Sequence, residues 1–358
     1  MKKNSFDFLV ELLETPSVSG FETEIQKVIK KRVKSFADRV EVDVHGNLIA
    51  VVNPGGKFKV MLAGHCDQIG MMVTHIDEHG YLYFRQVGGI DPSVVPGSKV
   101  IIHTHGGPLV GVIGHKPVHL LTQAERGQKV ELSKLWIDIG VSTSEEAKKL
   151  VTIGDPVTYA LGVEKLQNHV IASPGLDDRV GAFVVMETLR LYAGAEKSKK
   201  DKDIAVYAVS TVQEELGLRG AKTSCYNIDP QVGIAVDVTH ASDNPAVDAK
   251  EIGTVKLGEG PTIARGANIN PILESLLRSV AKKKKLKYQP LGSPAATGTD
   301  ANVMQISRSG VATALIGLPN RYMHTQVELV DLRDLEVASD LLSSTILEMR
   351  ADQSFIPQ

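Results

Sequence analysis

Cysteine is nearly absent from the 358 residues: Cys66 and Cys225 are the only two. Two isolated cysteines cannot build a disulfide framework, and a reducing compartment is the simpler reading. Aromatics are also scarce, at 5% with Trp136 as the single tryptophan. The stacking platforms of a polysaccharide cleft are therefore not expected. No charge of one sign dominates; a formal net charge of -2 implies neither a nucleic-acid footprint nor an acidic tail. No run of about 18 apolar residues occurs, so no transmembrane helix and no membrane partner are expected. The opening MKKNSFDFLVELLE is interrupted by Asp7, Glu11 and Glu14 and lacks an unbroken apolar core with a small-residue cleavage site. That argues against a signal peptide and for a cytoplasmic protein. What remains is an ordinary globular composition, 42% hydrophobic and 23% charged, long enough for one large core or two domains.

The apolar spacing organises the chain. Phe6, Leu9, Val10, Leu12 and Leu13 recur at helical spacing, as do Ile25, Val28, Ile29 and Val33. Ser19-Gly20-Phe21-Glu22 fits a capping box before the second helix. Strands are predicted near 40–44 and 47–52, with His45-Gly46 as their turn. Short apolar runs at 58–63, 204–212, 232–236 and 311–316 each end in polar residues, and helices are predicted at 178–192, 271–285 and 331–349. This alternation predicts an α/β sheet covered on both faces. Residues 72–164 read differently: Gly, Pro, Val and His recur with closely spaced turn signals, which predicts a small β-barrel or sandwich with one short helix at 144–150. The expected division is an α/β domain in two parts, 1–71 and 165–358, interrupted by the β domain.

Ligands in open α/β sheets bind beyond the carboxyl ends of the strands. His65, Asp67, Glu214, Glu215 and Asp237 all follow predicted strands, and Asp177 and Asp178 begin a helix. Imidazoles and carboxylates gathered in one place suit a pair of divalent metals, with a carboxylate bridging and another acting as general base. Each pair also has a plainer reading: His65 and Asp67 as loop residues, Glu214-Glu215 as an exposed acidic turn, Asp177-Asp178 as helix caps.

Taken in order, HCDQIG, GLDDRVG, TVQEELGLRGA, VDVTHA and GTDAN…RYMHT resemble the M42 family of metallo-aminopeptidases, the glutamyl aminopeptidase or TET peptidase family. LWIDIGVSTSEEA and TIGDPVTY extend the resemblance into the β segment, so it covers nearly the whole chain. It implies an α/β/α zinc-peptidase-like sandwich with an inserted barrel-like dimerisation domain. It implies two divalent ions, zinc or cobalt, held by His65, Asp177, Glu215, Asp237 and His324. Asp177 would bridge, with Asp178 as the alternative; Glu214 would be the general base acting on a bridging water, and Asp67 would orient His65. Short peptides with a free N-terminus would be the substrates, and dimers would assemble to a dodecamer. One departure is Gln68, where the family often has Glu; it removes a charge beside the site.

Other features are set aside. His103 and His105, like His75, His79, His115 and His119, lack the accompanying ligands of a metal site. Cys66 should point away from its neighbours in an extended segment. Lys282–Lys285 suit a helix C-terminus and lack the aromatic interleaving of a nucleic-acid surface. Arg265 and Arg321 are candidates for contacting an acidic substrate residue. The rival functions are a two-metal deacylase of N-acyl amino acids, a glycoside hydrolase of the kind some relatives are labelled, and a non-catalytic assembly protein.

Overall fold

A computed structural model describes residues 1–357. Its centre is an eight-stranded sheet. In spatial order the strands are Arg39–Val42, Leu48–Val52, Ile204–Thr211, Phe58–His65, Val232–His240, Ala312–Asn320, Thr262–Gly266 and Gln289–Ser293. The four central strands, from Ile204–Thr211 to Ala312–Asn320, run parallel, so their carboxyl ends meet along one edge.

Alternation along these strands fills two cores. Leu48, Ala50, Val52, Val60, Leu62, Val206 and Ala208 face one side. Ile49, Val51, Met61, Ala63, Ala205, Tyr207 and Val209 face the other. Successive side chains point to opposite faces of a strand, so a run that is apolar throughout must be covered on both. The first face is covered by helices Lys3–Glu14, Thr23–Val33, Leu176–Gly194, Pro271–Lys284 and Leu332–Glu348; the second by Arg219–Ile228 and Ala301–Gln305. The result is the α/β/α sandwich.

The strand Phe58–His65 hands the chain to a closed barrel. Around it lie Gly70–Ile76, Leu82–Val87, Trp136–Asp138, Gly107–Gly114, Lys99–Thr104 and Pro156–Tyr159. Its own core contains Met71, Val73, Phe84, Val100, Ile102, Ile113 and Ile137. The chain returns through Val170–Ser173, which pairs antiparallel with Glu328–Asp331 and sets Ser173 opposite Glu328. Among the described residues no helix is long and apolar enough to cross a membrane.

The capping box at Ser19 and Glu22 does not form. Helix Thr23–Val33 has no side-chain cap. The Ser19 hydroxyl donates instead to Asp67 Oδ2 at 2.6 Å, and Glu22 Oε1 accepts the N–H groups of Gly20 and Gln213 at 2.7 and 3.1 Å. Tertiary partners have taken the groups a local cap would have used. The helix predicted from Asp178 begins at Leu176, with Asp177 and Asp178 outside helical dihedral angles.

Candidate metal centre

His65 ends its strand and stands at the carboxyl edge of the sheet. Glycine is required just before it. A Cβ on Gly64 would lie 2.6 Å from the carbonyl carbon of Gly181, so only glycine lets helix Leu176–Gly194 come this close. The close approach brings the start of that helix over the strand end. Asp177 Oδ1 then lies 3.2 Å from His65 Nε2, and Asp177 Oδ2 lies 3.2 Å from His324 Nε2. His324 arrives on the loop after Ala312–Asn320.

Two groups of potential ligands result, His65 with Asp177 and Asp237, and Asp177 with Glu215 and His324. Asp177 belongs to both. Asp178 belongs to neither: its carboxylate accepts the N–H groups of Gly181 at 3.0 Å and His65 at 3.3 Å. Glu214 Oε2 reaches to 3.7 Å from His65 Nε2, and Asp237 Oδ1 to 3.9 Å.

Asp67 supports this arrangement differently from the sequence expectation. Its main-chain oxygen, at 3.1 Å, lies closer to His65 Nδ1 than its carboxylate, at 3.6 Å. The carboxylate accepts the N–H groups of Glu214 and Glu215 at 3.0 and 3.2 Å, along with the Ser19 hydroxyl. Together with Glu22 on Gln213, buried acids receive three consecutive amides of the turn that presents Glu214 and Glu215.

The charges do not balance. Burial pushes Glu214 up to about 10, with Asp237, Asp300 and Glu215 adding to the effect against His65. Burial, with Asp177 nearby, lifts Glu215 to about 7 and raises Asp237 well above the usual carboxylate range. Asp177 is the exception: burial would raise it, but His324 and His65 on either side hold it below that range. His324 is pushed up to about 9 by its bond to Asp177 against the effect of burial. Glu215 Oε1 is buried without a hydrogen-bond partner. Such a set of nitrogen and carboxylate donors, with an orphaned buried oxygen and excess negative charge, fits divalent cations.

Sequence reasoning missed Glu328 and Asp300. Glu328 is fully buried and accepts the main-chain N–H groups of Asp177 at 2.8 Å and His324 at 3.1 Å. Burial, with Asp177 beside it, lifts its carboxyl to about 8. Asp300 accepts the Thr211 hydroxyl at 2.6 Å, and its other oxygen is buried without a partner. Glu328 gives no signal in a strand of four residues; Asp300 lies within the GTDAN motif and had a detectable context. Of the residues set aside, Cys66 is buried in the larger core and His103 pairs with Thr158 at 2.9 Å. Arg321 pairs with Asp243 at 2.7 Å.

A sequence model of the M42 glutamyl aminopeptidase family matches residues 46–341. The lysyl aminopeptidase of Pyrococcus furiosus is 40% identical over 348 residues, covering 96% of this chain and 97% of that protein. A crystal structure of a TET aminopeptidase from a marine sediment archaeon of the Thaumarchaeota superposes with a TM-score of 0.91 at 33% identity, covering 98% of each chain. The TET1 peptidase of Pyrococcus horikoshii, described as assembling into a tetrahedron or a large octahedral shell, gives 0.84 at 31% identity over 96% of this chain and 100% of that one. The chain therefore belongs to the M42 glutamyl aminopeptidase family and is a hydrolase acting on peptides.

Proposed function

We propose that the chain removes the N-terminal residue of short peptides with two divalent ions, zinc or cobalt, one held by His65, Asp177 and Asp237 and the other by Asp177, Glu215 and His324. The observation that supports this best is Asp177, whose two carboxylate oxygens each lie 3.2 Å from a different histidine. When bound, such ions polarise the scissile carbonyl and acidify water. Glu214 is the general base: its carboxylate takes a proton from the attacking water and returns it to the amine nitrogen as the C–N bond breaks and a C–O bond forms. Asp67 fixes the Glu214 and Glu215 amides and, through its carbonyl, the His65 ring. The imidazole and carboxylate donors are ligand types that zinc takes in catalytic sites.

The inserted segment 72–164 serves as the dimerisation domain of a homo-oligomer, a dodecamer in its full form. Support comes from the exposed Val110, Val112, Val118, Leu120 and Ile153 in this segment, and from the shells formed by the Pyrococcus horikoshii relative. Two free, buried cysteines fit a cytoplasmic location.

The test is amino-acid release from one short peptide, first with a free N-terminus and then acetylated, by metal-reconstituted protein. Release from the free peptide alone is the expected result. Release from the acetylated peptide would instead identify a deacylase or endopeptidase, and release from neither would leave a scaffold without this activity.

A further inference from the structure

We infer that Glu328 is a positioning residue that sets where Asp177 and His324 stand in the site. The inference rests on the two-ion reading above. The two halves are built differently. Asp237 lies within a parallel strand and is held by its ladder, and His65 ends one, with its N–H accepted by the Asp178 carboxylate at 3.3 Å. Asp177 and His324 have no such ladder. Asp177 sits outside helical angles at a helix start, and His324 adopts φ 62°, in the left-handed region that a non-glycine residue enters seldom. Their N–H groups need another acceptor, and both find the same carboxylate.

The topology explains how one side chain reaches both. Ser173 and Glu328 are paired across two antiparallel strands. Asp177 lies four residues beyond Ser173, and His324 lies four residues before Glu328. Two short arms leave the strand pair, and the Glu328 carboxylate ties them together, one oxygen to each amide. Because the bonds are to main-chain atoms, Glu328 sets where the Asp177 and His324 side chains start while leaving their ligand atoms free. Outer partners of this kind commonly set ligand orientation and so affinity. Glutamate suits this position because a carboxylate accepts at both oxygens, whereas glutamine keeps the shape but presents one oxygen and a donor.

The experiment compares wild-type, Glu328→Gln and Glu328→Ala full-length protein, stripped of metal and titrated with zinc by calorimetry. Wild type is expected to bind in two steps. In Glu328→Gln the step that uses both Asp177 and His324 should weaken about 10–100-fold, while the other, which shares Asp177 but keeps His65 and Asp237, should weaken less. Amide hydrogen exchange supplies a metal-free readout: the His324 N–H should exchange faster in Glu328→Gln, with the amides of Ile204–Thr211 unchanged. Glu328→Ala should exaggerate both effects; should it fail to fold, the isosteric variant still decides. Two unaltered steps with unaltered His324 exchange would overturn the positioning role alone. So would parallel weakening of both steps with faster exchange across the core, which marks general loosening. A wild-type protein that takes up fewer than two ions would overturn the two-ion reading and this role together.

Discussion

Glu187 and Asp177 lie on the same helix, and each is the centre of a buried charge cluster, but the clusters are composed differently. Glu187 accepts from the Ser5 hydroxyl at 2.8 Å, from Arg32 at 2.6 Å and from Arg190 at 2.9 Å. Burial would raise its carboxyl, yet the two guanidinium groups and the serine hold it below its ordinary value. This cluster draws its cations from the protein and joins helix Leu176–Gly194 to Lys3–Glu14 and Thr23–Val33. Around Asp177, the acids Asp67, Glu214, Glu215, Asp237 and Asp300 face His65 and His324 alone, and burial drives most of them upward. The helix itself is the same in both places. A carboxylate paired with guanidinium groups serves as structure; a cluster with acids in excess calls for cations from outside, and buried charges are tolerated only when paired or bound to metal.

The contrast between the two clusters is open to challenge at several residues. The largest effect is expected for Glu214→Gln, which should keep both ions and lose turnover by about 10²–10⁴-fold. Steady-state kinetics and elemental analysis on one preparation check this, and near-wild-type turnover contradicts the assignment. His324→Ala should lose one ion and keep the other, because His65, Asp177 and Asp237 remain intact; full occupancy by elemental analysis would remove His324 from the ligands. A chelator should lower the melting temperature of the wild type, since ligands that bind only the folded state stabilise it, by about 4 kcal/mol when present at 1,000 times their dissociation constant. An unchanged melting curve would mean that the acidic cluster tolerates its own charge.

The Glu187 cluster should respond in the opposite way. Glu187→Gln is expected to cost about 1–3 kcal/mol of stability with no change in bound metal, as it strands two arginines. Its pH dependence has a definite sign. The folded carboxyl lies below its ordinary 4.5, so its contribution is complete above that value and is lost as pH falls through the folded pKa. Wild-type stability should therefore drop more steeply on acidification than that of the variant, and denaturant titrations between about pH 3 and 6 provide the measurement. Parallel acid limbs would show that Glu187 carries no such linkage.

How much of this could be read from the sequence follows from the kind of contact involved. The parallel strands were legible because burial on both faces makes their residues apolar throughout, and the convergence of His65, Glu214, Glu215 and Asp237 follows from the shared direction of those strands. The closed barrel was legible as a β segment from its turn spacing, though its strand order was not, because that order depends on pairings distant in sequence. Ser19 and Glu22 matched a local cap while their actual partners, Asp67 and the Gln213 amide, lie far along the chain. Glu328 was missed for the same reason: its two bonds go to main-chain atoms, and main-chain partners leave no mark in residue types. Residue type alone leaves Asp177 and Asp178 as alternatives; the family resemblance favours Asp177, and their side-chain directions differ, with Asp177 in both ligand groups and Asp178 in neither.

Whether two metals share Asp177 is decided by the number of zinc ions the wild-type protein retains after metal-free chain is equilibrated with zinc and unbound metal is removed. Two ions per chain, falling to one in His324→Ala, is the result the two overlapping clusters predict. A single ion in the wild type, unaffected by loss of His324, would contradict that sharing.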